Sequence, residues 1–136
     1  MIQVKCRCGT VEIEVQGDPI AQFFCHCDDC QVVHGAAYAP ESVYPAEHLR
    51  VIRGEPKKWV LKRNPRFSCP VCSTRLFIDV LSLNLRGLNG YLLLKEEFKP
   101  TFHMQCQFAV LPVVDNLPHY KTRPSRFSGS DERVDW

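Results

Sequence analysis

The stretch Ile2-Gln3-Val4-Lys5-Cys6-Arg7-Cys8-Gly9-Thr10-Val11-Glu12-Ile13-Glu14-Val15 carries two signals at once. Val11, Ile13 and Val15 fall on one side of an extended chain and Glu12 and Glu14 on the other, the period-two alternation of a half-buried strand. Ile2 and Val4 alternate with Gln3 and Lys5 in the same way. Between the two runs, Cys8-Gly9-Thr10 reads as a hairpin turn, and Cys6-Arg7-Cys8-Gly9 sets two soft metal ligands on it. A strand, a cysteine-bearing turn and a second strand form the unit from which the rest of the chain is read.

Further strands are expected at 20–24, 36–43, 49–53, 57–62, 75–80 and 91–94. Another is expected through Phe102, Met104, Cys106 and Phe108, which alternate with His103, Gln105 and Gln107. Ten prolines and seven glycines punctuate these runs. The only helical signal is a short turn after Cys27, through Gln31 and Val33, with Asp28 near its start. From about Pro118 the chain turns polar and basic and is expected to lie along the surface. The reading is an all-β fold of short strands in a single domain, residues 1–136.

Composition bounds the function. Leu, Ile, Val and Phe supply 39 of the 136 residues, well above the roughly 20% below which a highly charged chain stays disordered. No apolar run reaches the ~18 residues of a membrane span. The opening residues reach Cys6 without a charged and then apolar leader, so a cytoplasmic protein with no membrane partner is expected. The formal net charge of +2 is too small to indicate a nucleic-acid binder. Lys57, Lys58, Lys62, Arg63 and Arg66, mixed with Trp59 and Phe67, read as a solvated strand face rather than a nucleic-acid platform.

Eight cysteines are the most informative count. Disulfides suit an exported chain, whereas a reducing compartment leaves thiols free for metal. Three clusters sit at turns: Cys6/Cys8, then Cys25-His26-Cys27-Asp28-Asp29-Cys30, then Cys69-Pro70-Val71-Cys72. Pairing Cys6 and Cys8 with Cys69 and Cys72 would close a four-sulfur zinc site, although spacing alone does not force that pairing. It would leave Cys25, Cys27 and Cys30 as three local ligands, the number that catalytic zinc sites use with one position open. Cys106, His26, His34 and His103 are the candidates for a fourth ligand. Cys106 reads as a small core hydrophobe and His34 as a surface residue ahead of Gly35. His26 is expected to turn away from the metal toward a local hydrogen bond, His103 to face solvent, and Asp28 and Asp29 to cap the helical turn.

In this order the motifs resemble the glutathione-dependent formaldehyde-activating enzyme family, which includes the centromere protein V type. Gly35, His103 and Leu117-Pro118 look like further positions of its pattern. Ser73 stands where the family usually has glycine after the last cysteine, and Ser68 separates Phe67 from Cys69. The resemblance implies a zinc-bound β-sandwich of the kind called a β-tent. It assigns a structural zinc to Cys6, Cys8, Cys69 and Cys72 and a functional zinc to Cys25, Cys27 and Cys30. It also implies a carbon–sulfur lyase-type activity on the adduct of a small thiol, such as glutathione, with formaldehyde. His26 and His103 are the candidate catalytic proton donors. The competing function is a non-catalytic zinc-stabilised module that binds protein or nucleic acid. The sequence leaves the oligomeric state open, a homo-oligomer included.

Overall fold

A computed structural model describes all residues, Met1–Trp136. Ten strands and one helix follow one another: β1 Ile2–Lys5, β2 Glu12–Val15, β3 Ala21–Cys25, α1 Asp28–His34, β4 Ala39–Pro45, β5 Leu49–Arg53, β6 Lys57–Leu61, β7 Asn64–Ser68, β8 Arg75–Val80, β9 Leu85–Asn89 and β10 Phe102–Met104. The all-β expectation holds. The chain forms two compact units, the first from Met1–Ala21 with Ser42–Phe98, the second from Gln22–Glu41 with Lys99–Trp136.

In the first unit β1, β2 and β5 make an antiparallel sheet in that order, with Val4 opposite Ile13 and Val15 opposite Leu49. The alternation works as read: Val4, Val11, Ile13, Val15 and Leu49 are buried. On the other face Glu14 meets Arg50 at 3.2 Å and Glu12 meets Arg53 at 3.3 Å, exposed pairs worth at most about 1 kcal/mol each. The strands β4-β9-β8-β7-β6 form the unit's other sheet order. One core cluster joins the buried β1–β2–β5 residues to Tyr44, Leu76, Phe77 and Leu88. Full burial of each aliphatic side chain there contributes roughly 1.5–3 kcal/mol.

Two strands of this unit, β7 and β9, carry no clear sequence signal. Pro65 lies inside β7 and Gly87 inside β9, residues that argue against a strand when read locally. They pair because β8 offers both of its edges, to β7 on one side and β9 on the other. The strand expected at 91–94 is instead a 3₁₀ turn, Gly90–Leu92, in which the Asn89 side chain accepts the Tyr91 N–H at 3.1 Å.

The second unit has the order β10-β3-β4, with β10 parallel to β3 and Met104 opposite Cys25. Stacked Phe23 and Phe102 rings, 4.9 Å apart, pack the pair. Helix α1 begins one residue after its N-cap, which is Cys27: its sulfur accepts the Cys30 N–H at 3.2 Å. Asp28 and Asp29, expected as caps, lie in the first turn, where carboxylates still favour the helix through its dipole. The helix ends at Gly35, whose φ of 60° suits a residue without a Cβ.

The strand expected through Phe108 stops at Met104. Gln105 takes a left-handed conformation, φ 56°, and Cys106–Phe108 is a 3₁₀ turn. The chain after Pro118 causes this by competing for the same backbone groups. Pro118 and Tyr120 pair with His103, and Tyr120 and Thr122 carbonyls accept from Cys106 and Gln105. Cys106 is buried as expected, but Phe108 is 42% exposed. The polar tail thus supplies an edge for β10 and ends with Trp136 packed 4.5 Å from the His119 ring.

Candidate metal centres

The hairpin turn between β1 and β2 carries Cys6 and Cys8, and the turn between β7 and β8 carries Cys69 and Cys72. Their four sulfurs lie within 4.8 Å of one another. Cys8 is 3.6 Å from Cys6 and 3.8 Å from Cys69, sulfur to sulfur. Four sulfurs placed tetrahedrally about 2.3 Å from a zinc ion would be about 3.8 Å apart, so the spacing fits the ion and is far too long for a disulfide. Backbone N–H groups of Val11, Val71 and Cys72 donate to Cys6 or Cys69, and the Thr10 and Thr74 hydroxyls lie 3.1 and 3.0 Å from Cys8 and Cys72. These groups stabilise thiolates and orient ligands. The Thr74 hydroxyl and backbone, with the Cys8 backbone, pull the Cys72 thiol down to about 5. Cys69 receives the Cys72 and Val71 N–H groups, yet burial and the neighbouring sulfurs leave it at about 11. Ionising all four together requires a cation among them. Ser73, which follows the last of these cysteines, adopts φ 64°, the left-handed region that favours glycine.

The second cluster holds Cys25 at the end of β3, the N-cap Cys27 and Cys30 in the first turn of α1, all within 4.8 Å. Cys25 and Cys30 are 3.7 Å apart, again the edge of a zinc tetrahedron. Contact with Cys27 and Cys30, together with burial, raises Cys25 well above the ordinary thiol range. Cys30 is raised to about 12: its contact with Cys25 lowers it, but Cys27 and burial outweigh that. Neighbouring thiols resist joint ionisation, and a bound cation relieves that resistance. Cys106, the one thiol among the candidates for a fourth ligand and read as a core hydrophobe, joins neither cluster. Burial holds it neutral, at about 12.

His26 turns away from the sulfurs as expected, but its partner is another histidine. His26 Nε2 lies 2.9 Å from His103 Nδ1, and His103 Nε2 lies 2.7 Å from Asp115 Oδ2. His103 is therefore not solvated: it is 0% exposed. The alternation argument fails there because its strand is only three residues long and the later chain covers its outer side. Burial, then the neighbouring His103 and His119, lower His26 to about 4. Burial lowers His103 as well, against the opposing pull of Asp115. Tyr38 and Trp136 pack on His26 at 4.9 and 5.5 Å. Asp115, His119 and Trp136 were not singled out by sequence reading; the four-residue step from Asp115 to His119 was the only local hint.

The model of the glutathione-dependent formaldehyde-activating enzyme family matches residues 1–107, and the chain belongs to this family. No curated protein matches the chain in sequence. Among solved structures, the crystal structure of a Rhodobacter sphaeroides protein resembles it with a TM-score of 0.59 at 23% identity, over 69% of this chain and 89% of that one. This is a likeness of fold. No helix is long and apolar enough to cross a membrane.

Proposed function

We propose that Cys6, Cys8, Cys69 and Cys72 hold a structural zinc and that Cys25, Cys27 and Cys30 hold a second, functional zinc. At the second centre the chain would act as a carbon–sulfur lyase-type enzyme on the adduct of a small thiol such as glutathione with formaldehyde, resembling S-(hydroxymethyl)glutathione synthase. The observation that carries this reading is the unequal ligand count: one cluster offers four sulfurs, the other three, and the remaining cysteine joins neither. Family membership supports the substrate class.

In the synthetic direction a C–S bond forms between thiol sulfur and aldehyde carbon, the carbonyl π electrons move to oxygen, and oxygen takes one proton. When bound, zinc supplies a Lewis acid at which a substrate thiol ionises near neutral pH. The chain's own residues do the rest. The N-cap bond from Cys30 N–H and the buried setting of Cys25 and Cys30 hold the ligands in place. His26 and His103 are the candidates for holding the proton that the oxygen needs. Their line to Asp115 fixes both rings, so a proton on one nitrogen is set against a defined partner. The protein would work in the cytoplasm and without nucleic acid; Arg66 and Arg75 lie 6.0 and 5.8 Å over the Trp59 ring, occupying that aromatic face.

Native mass spectrometry with and without glutathione tests the reading, alongside Cys27→Ser. The wild type should carry one tightly held zinc at the four-cysteine cluster and a second, more loosely held and partly occupied, at Cys25, Cys27 and Cys30, and should take up glutathione. The variant should keep its fold and one zinc, and lose turnover of the glutathione–formaldehyde adduct. Turnover at the wild-type rate by Cys27→Ser would overturn the enzymatic reading and favour the non-catalytic module.

A further inference from the structure

We propose that His103, Asp115 and His119 form a binding site for one further divalent cation of the zinc, cobalt and nickel class, separate from both sulfur clusters. One ligand atom from each of the three lies within 4.8 Å of the others. Asp115 Oδ2 is 2.7 Å from His103 Nε2, and Asp115 Oδ1 is 3.1 Å from His119 Nε2. Adjacent ligands of a six-coordinate ion with bonds of about 2.1 Å stand about 3.0 Å apart, so with Asp115 offering both oxygens, one beside each imidazole, the two spacings fall on either side of that value. The donor set, two imidazoles and a carboxylate, selects borderline ions over calcium or magnesium.

Three features favour an ion over a plain hydrogen-bonded cluster. His119 Nε2 is buried and faces the carboxylate at 3.1 Å, yet it makes no aligned hydrogen bond there. A lone pair on that nitrogen needs a cation if it is to sit against a carboxylate. His103 meets His26 through its other ring nitrogen, the outer-shell arrangement that fixes tautomer and orientation in metal-bound histidine. The ligands are also held from outside: the His103 N–H donates to the Pro118 carbonyl and the His103 carbonyl accepts the Tyr120 N–H, clamping the backbone on either side of His119, the Leu117 N–H donates to Asp115 Oδ1 at 3.0 Å, and Trp136 packs against the His119 ring.

Only Asp115 opens substantially to solvent, its side chain 30% exposed against 12% for His119 and 0% for His103. An ion there would reach solvent on the side of the carboxylate. Two of the three ligands lie beyond residue 107, where the family match ends. The site shares His103 with the proton line of the lyase reading: with an ion on Nε2, the His103 proton would sit on Nδ1 against His26, and a Co²⁺ titration reads the site without measuring turnover.

The test is a Co²⁺ titration of the full chain already carrying zinc at its sulfur clusters. One additional equivalent should bind with weak ligand-field absorption and without the intense sulfur-to-cobalt charge-transfer bands of a thiolate site. His119→Gln and Asp115→Asn, at the two ligands that reach solvent, should each weaken this equivalent by roughly 100-fold. Both variants should keep their two zinc ions by native mass spectrometry, which shows that the fold survives. Failure of the wild type to bind Co²⁺ at millimolar concentration would overturn the proposal. Unchanged Co²⁺ affinity in the two folded variants, or charge-transfer bands in the added equivalent, would do the same.

Discussion

Cys69→Ser perturbs the cluster that links the turn after β1 to the turn after β7. Cys69 is buried, accepts two backbone N–H groups and lies 3.8 Å from Cys8 Sγ, across 61 residues of sequence. A cross-link closing a loop of that length removes about 4 kcal/mol of unfolded-chain entropy, by the same reasoning used for disulfides. A domain of this size is stable by about 5–15 kcal/mol, so losing the link takes away a large share. At roughly 3–4 °C per kcal/mol, the melting temperature should fall by about 10–15 °C. The loss grows further because the binding energy of a structural zinc is itself folding energy. The assay pairs zinc content by native mass spectrometry with thermal unfolding by circular dichroism. One zinc lost together with a large fall, or largely unfolded protein, is the expected result. A variant that keeps both zinc ions and its native transition refutes the assignment of this cluster.

Ser73→Gly relieves a left-handed backbone, φ 64°, and should raise stability by about 0.5–1 kcal/mol, read as a higher urea midpoint with unchanged slope; a lower midpoint would show that the Ser73 side chain contributes more than the backbone strain costs. The pH dependence at the alkaline end should follow Tyr44, whose phenol is raised by burial although the Ser42 hydroxyl bonded to it at 2.9 Å pulls the other way. A raised phenol keeps its proton longer folded than unfolded, so its contribution is fully present below the ordinary value of about 10 and is lost as pH rises above it. Urea midpoints at pH 9 and 11 should therefore fall more steeply for the wild type than for Tyr44→Phe, and equal slopes would exclude Tyr44 as the cause.

Much of the scaffold is legible locally. In β2 and β5 the side-chain alternation survives because one face is buried and the other is solvated. The cysteine turns are legible because a ligand pair is specified by a few neighbouring residues. His103 was misread by the same local logic: its alternation partners continue past Gln105, but the strand does not. Nothing near Asn64–Ser68 announces a strand, since Pro65 contradicts one and only pairing with β6 and β8 makes it.

By itself the sequence determined the class of fold, the three cysteine clusters, the single short helix ending at Gly35, and the resemblance that the family match bears out. These depend on short-range rules: side-chain period, turn chemistry and ligand spacing. The meeting of Cys6, Cys8, Cys69 and Cys72, which cysteine spacing suggested without forcing, is brought about by tertiary structure, and tertiary structure alone decided that His26, His103, Asp115 and His119 form one connected group. Those outcomes depend on which distant segments share backbone hydrogen bonds. The chain after Pro118 buries His103 by pairing with it, and no pattern within either segment specifies that meeting.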